Sequence, residues 1–188
     1  MDEDRARFEK RERYLAEFGR FVSLFALAEA MLKNALRHIV GVDERTALAV
    51  FSGVRAAEGS TLIRRCFEAR KNALPEELNK LLVQFSTLSN LRNNLVHYGI
   101  DLSATPPITT NRSYVLSDMA IREMHIEEHT LSDATIDCAK IILGLSCFVE
   151  DGKDDGRLAF SVRDPWQYKP SAQANKDRGR RKRKPHPR

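Results

Sequence analysis

A chain of 188 residues, 42% hydrophobic and 30% charged, is long enough to bury one full core and too short for two ordinary domains, so one domain with a tail is expected. The formal net charge of +5 is concentrated at one end, where Lys176, Arg178, Arg180, Arg181, Lys182, Arg183, Lys184 and Arg188 stand against Asp177 alone. Residues 1–175 are therefore net acidic, and the body gives no electrostatic argument for nucleic acid.

The opening MDEDRARFEKRER is charged throughout, which is unlike a leader. Phe18, Phe21, Phe25, Ala28, Leu32, Ala35 and Ile39 then recur at helical spacing, predicting a first helix from about Asp4 to Val40 that stops near Gly41. Asp43 is placed to cap a shorter helix through Phe51, and Ser60-Thr61 to cap another from Leu62 to Ala73. Pro75 suits the first turn of a long helix, with Glu76 and Glu77 near its positive end, and Gly99 closes it after Tyr98.

From Leu102 to about Thr130 the pattern changes. Thr105-Pro106-Pro107 breaks the helix, and Ser113-Tyr114-Val115-Leu116 and Arg122 to Ile126 alternate like short strands around Ser117-Asp118, predicting a small hairpin. Ser132 and Asp133 are placed to cap a last helix, Ala134 to about Glu150, offering Ile136, Ala139, Ile142, Leu143 and Ser146 to the bundle. Residues 152–156 read as a loop, Trp166 and Tyr168 as a return onto the bundle, and Ser171 onward as a disordered polybasic tail. The expected class is all-α: a helical bundle over 1–150 with a hairpin insert at 102–130, an extension at 151–170 packing on it, and a disordered tail at 171–188.

Cys66, Cys138 and Cys147 lie far apart and are odd in number, which argues against a disulfide framework and a thiolate metal site. The best apolar run, Ile141 to Val149, falls far short of the ~20 residues a membrane helix needs. A cytoplasmic protein with no membrane contact and no cofactor is expected.

The candidate chemistry sits on the fourth helix. Leu81, Phe85, Leu88, Leu91 and Leu95 define one arc of a wheel turning about 100° per residue, with Arg92 close to its centre. A guanidinium in an apolar seam must meet a carboxylate, an interface or a ligand anion. Glu29, beside Phe25 and Leu32 on the first helix, is the expected protein partner; the plainer alternative makes it a solvated neighbour of Lys33. Asn93 and His97, four residues apart, share one polar face with Ser86 and Asn90, where the amide can orient the imidazole or its ligand. Alone, such a histidine would be a favourable contact with the helix dipole.

Arg92-Asn93-Asn94-Leu95-Val96-His97 resembles the R-N-x-x-x-H signature of HEPN domains. The likeness extends to a long first helix with Leu24-Phe25-Ala26-Leu27-Ala28-Glu29-Ala30 in its middle and to a closing helix after an insert, covering roughly residues 10–150. It implies a helical bundle that forms a homodimer through the helix bearing Arg92 and His97, often with metal-independent endoribonuclease activity in toxin or antiviral systems. Arg92, Asn93 and His97 would be catalytic, with Glu29 and Tyr98 in support, RNA as substrate, and a cognate antitoxin or inhibitor as a possible further partner. Some toxins of the family carry a modifiable tyrosine two residues after the histidine; that position is Gly99 here, with Tyr98 one earlier, so regulation by that route is not expected. The family also holds members without activity, so a non-catalytic module binding RNA, a nucleotide or a protein is the alternative.

Two other signals compete. His125-Ile126-Glu127-Glu128-His129 fits the H-x-x-E-H spacing of some zinc peptidases, but the segment alternates like a strand and lacks an evident third ligand, so no metal is expected. Arg180, Arg181, Lys182, Arg183 and Lys184 suit RNA phosphates, with localisation and solubility as the alternatives.

Overall fold

The computed structural model describes residues 2–114, 121–127, 129–151 and 164–170. The expected hairpin turn at Ser117-Asp118, Glu128, the loop at 152–156 and the basic tail with Arg180 to Lys184 lie outside them.

Among the described residues five helices form the body: α1 (Asp2–Val40), α2 (Glu44–Phe51), α3 (Ala56–Ala69), α4 (Glu76–Tyr98) and α5 (Thr130–Asp151). Between α4 and α5, β1 (Ile108–Thr110) pairs antiparallel with β2 (Glu123–His125), Thr109 opposite Met124, and a 3-10 turn covers Arg112–Tyr114. No described helix is long and apolar enough to cross a membrane.

Helix α1 packs most extensively along α5 and also meets α3 and α4. Its apolar stripe Phe21, Phe25, Ala28, Leu32, Ala35 and Leu36 is buried, and the residues from Asp4 to Arg13 are exposed. The helix ends where Gly41 takes φ +78, a conformation that a Cβ disfavours. Asp43 caps α2 as expected, its carboxylate accepting from Thr46 N at 3.0 Å.

Three local expectations need correction. Helix α3 begins at Ala56 rather than Leu62, because two carboxylates take up its first amides: Glu58 accepts from Arg55 N at 3.1 Å and Glu29 from Ala56 N at 3.3 Å. Ser60 is consequently buried inside the helix, not at its cap. The first strand is the β-branched Ile108-Thr109-Thr110, and Arg112–Tyr114 is a 3-10 turn where a strand was expected. Helix α5 starts at Thr130 and buries Leu131, Ala134, Cys138, Ile141 and Leu145; Ile136 and Leu143, expected in the bundle, are 48% and 51% exposed.

The reason for that rotation is Asp137, a charged residue 0% exposed in the middle of the buried face. Its Oδ1 accepts from Gln167 N and its Oδ2 from Tyr168 N, both at 3.0 Å, while Gln84 Nε2 of α4 donates to Oδ2 at 2.8 Å and to Tyr168 O at 3.1 Å. Tyr168 is buried and Trp166 packs against the core. One carboxylate thus joins α4, α5 and the segment 164–170. Burial pushes its pKa above the usual carboxylate value, against the pull of those hydrogen bonds and of Lys140. The neighbouring Cys138 thiol is pushed up to about 12 by the same burial, which makes it an unreactive core residue.

Candidate functional site

The expected site falls at the C-terminal end of α4. Leu78, Leu81, Leu82, Phe85, Leu88, Leu91 and Leu95 form its buried face, and Arg92 lies within that arc but near the helix end, where it is only half covered. Its guanidinium carbon lies 6.0 Å from the centroid of Phe25, at the outer range of a cation–π contact. The Phe25 ring in turn stacks on Phe85 at 5.2 Å and 6°. Helix α4 therefore holds one phenylalanine of α1 with two of its own side chains, seven residues apart.

Arg92 Nη1 donates to Asn93 Oδ1 at 3.1 Å. Its Nε is buried without a hydrogen-bond partner among the described residues, and no described carboxylate pairs with the guanidinium. An unmet buried donor costs about 1–3 kcal/mol, and no described residue offers this nitrogen an acceptor.

Glu29 does not play the expected part. Its carboxylate is spent on Ala56 N at 3.3 Å, capping α3 instead of orienting Arg92, because an open helix start offers it an unmet N–H. Asn93 likewise turns its carbonyl to Arg92 and not to the imidazole. His97 is exposed, without a hydrogen bond or ion pair among the described residues. The helix brings Arg92 and Asn93 together and leaves His97 about 140° round the axis from Arg92.

Gly99, at φ +71, ends α4 with its N–H on Leu95 O at 3.0 Å and turns the chain back toward the hairpin. Asp101 and Ile108 exchange backbone bonds of 2.7 and 3.2 Å, and Thr109 Oγ1 donates to Asn94 O at 3.2 Å. The hairpin is thereby tied to the last turn of α4. Asn111 Oδ1 accepts from Arg122 N at 2.6 Å, fixing the turn that carries Tyr114. That ring sits 5.5 Å from Tyr98, tilted by 47°.

Sequence reasoning missed Phe25 as the seat of Arg92 and Tyr114 as the neighbour of Tyr98. Phe25 reads as one more core position, and Tyr114 lay in a segment taken for a strand.

His125 ends β2 and His129 precedes α5, so the two do not share the helical turn on which the peptidase spacing depends. His129 faces Glu127 at 3.4 Å and Asp133 at 3.9 Å. Among the described residues no group of three histidine, cysteine or carboxylate side chains is placed to hold a metal.

No family model, curated protein or solved structure matches this chain. Two clefts, about 600 and 520 Å³, are walled by Tyr14, Pro106 and Pro107 in one case and by Lys33, Arg37 and Phe51 in the other; Arg92 and His97 line neither.

Proposed function

We propose that the chain is a metal-independent endoribonuclease of the HEPN type, working as a homodimer that pairs two α4 ends around one RNA linkage. The observation that carries this reading is Arg92: a half-buried guanidinium over an aromatic ring, with no acidic partner among the described residues and a buried Nε left unmet. A structural arginine would be expected to have a carboxylate at that point. A phosphate, or the facing surface of a second copy, supplies what is missing.

The separation of about 140° between Arg92 and His97 sets the need for two copies. Around a two-fold axis, Arg92 of one copy and His97 of the other approach the same phosphodiester. His97 takes the proton of the ribose 2′-hydroxyl, the 2′-oxygen bonds to phosphorus, and Arg92, held by Asn93, offsets the charge on the phosphoryl oxygens. The P–O5′ bond breaks as His97 of the second copy gives a proton to the leaving oxygen. The products are a 2′,3′-cyclic phosphate and a 5′-hydroxyl. DNA lacks the nucleophile and stays intact.

A cytoplasmic toxin or phage-defence role, held in check by a cognate inhibitor, fits such an activity. The deciding experiment is incubation of purified protein with labelled RNA in EDTA: cyclic-phosphate ends support the proposal, while binding without cleavage supports the non-catalytic alternative. Arg92→Gln is expected to slow cleavage by about a hundredfold, as for loss of one donor to a developing anion. A strictly monomeric protein that still cleaves at full rate would remove the paired site.

The basic tail is assigned to RNA phosphates on the same reading. Removing residues 171–188 is expected to weaken binding and flatten its salt dependence, since each lost phosphate contact on a single strand lowers the slope of log K against log salt by about 0.7. An unchanged slope would free the tail from that role.

A further inference from the structure

Large aromatic side chains at a surface lose the benefit of burial unless something covers them. Tyr114 is 69% exposed and Tyr98 38% exposed, yet their rings are in contact at 5.5 Å, within the 4.5–7 Å range of aromatic pairs. The pair is held in place from both sides. Tyr98 is the last residue of α4, next to His97, and Tyr114 closes the 3-10 turn after β1, where its N–H donates to Asn111 O at 2.9 Å. The Thr109 bond to Asn94 O ties the two elements together.

The turn that carries Tyr114 also carries a cation. Arg112 shares the turn with Tyr114 and is exposed, with Glu123 at 3.7 Å from its guanidinium, and Arg122 is exposed on the facing side of the hairpin. A small aromatic surface on a turn that also carries an exposed arginine suits a flat heterocycle carrying a phosphate. It suits a protein partner less well, since such an interface is built round a larger desolvated centre.

We propose that Tyr98 and Tyr114 form a nucleobase subsite, on which an unpaired base of single-stranded RNA stacks beside the linkage that His97 attacks. This deepens the ribonuclease reading and rests on it for the position of the scissile phosphate. Its consequence is that the protein selects unstacked, single-stranded segments and discriminates against duplex.

The test uses a 2′-O-methyl RNA of about eight nucleotides, which cannot be cleaved, so that binding is read apart from chemistry. Tyr114→Ala is expected to raise Kd about tenfold and Tyr98→Ala by a similar factor, while Tyr114→Phe keeps wild-type affinity because stacking needs the ring and not the hydroxyl. Scanning one abasic position along the oligonucleotide should find a site where wild type and Tyr114→Ala bind equally. Unchanged Kd in both alanine variants overturns the subsite, as does a Tyr114→Ala protein that loses self-association, which would make the pair an interface. Weakened binding in the variants with no cleavage of ordinary RNA by wild type would sink the ribonuclease reading and keep the subsite. Cleavage with unaltered binding in the variants would do the reverse, and no binding by wild type overturns the subsite while cleavage of ordinary RNA still decides the ribonuclease reading.

Discussion

His97→Ala is expected to lower RNA cleavage by about 10³-fold or more, because the proposed chemistry uses one imidazole to take a proton and a second to give one. The side chain is exposed and engages no described neighbour, so folding stability should change by less than about 0.5 kcal/mol. Circular dichroism and thermal melting check the fold, and single-turnover cleavage of labelled RNA in EDTA reads the chemistry. A variant with an intact fold and full activity would take His97 out of the reaction. Mixing this variant with wild type adds a sharper readout: where the reaction uses one imidazole from each copy, a heterodimer holds only one, so excess variant should suppress wild-type cleavage beyond simple dilution.

Asp137→Ala is expected to destabilise the fold by about 2 kcal/mol, since it removes the acceptor of the Gln167 and Tyr168 amides and leaves the side-chain nitrogen of Gln84 with Tyr168 O alone. Asp137→Asn should not restore stability, because both oxygens of the native carboxylate accept and an amide must point a donor at one of those donors. Denaturant unfolding measures both. The pH dependence runs opposite to that of a salt-bridged aspartate. Burial raises the folded pKa above the ordinary value of 3.8, so the proton is held more tightly in the folded state, and the group's contribution is full below the unfolded value and falls as pH rises through the folded one. The advantage of wild type over Asp137→Ala should therefore shrink with rising pH across that window; a gap that widens instead would contradict the assignment.

The helices carrying the candidate site were legible because their signals are local. Gly41, Asp43, Pro75 and Gly99 act within a turn of where they stand, and the apolar spacing of α1 and α4 survives in the buried faces of both. What failed depended on contacts distant in sequence. The start of α3 is set by Glu29, 27 residues before the amide it accepts from, and periodicity cannot show that. On α5 the buried aspartate broke the apolar pattern, so the outward stripe of Ile136 and Leu143 was taken for the inward one. The site divides in the same way: Arg92 stood out as a cation among leucines, whereas its actual seat on Phe25 and the pairing of Tyr98 with Tyr114 are tertiary contacts.

The Phe25 ring meets neighbours of opposite character, the buried rings of Phe21 and Phe85 and the guanidinium of Arg92. The arrangement exists only when the first helix has docked against the fourth, so a nascent or partly melted chain carries the same residues without their alignment. For a protein proposed to attack RNA, that dependence is a safeguard during synthesis: the hazard arises with completed folding. Trimming Phe25 to leucine would loosen core and guanidinium together, linking thermal tolerance to catalytic competence through a single benzyl group.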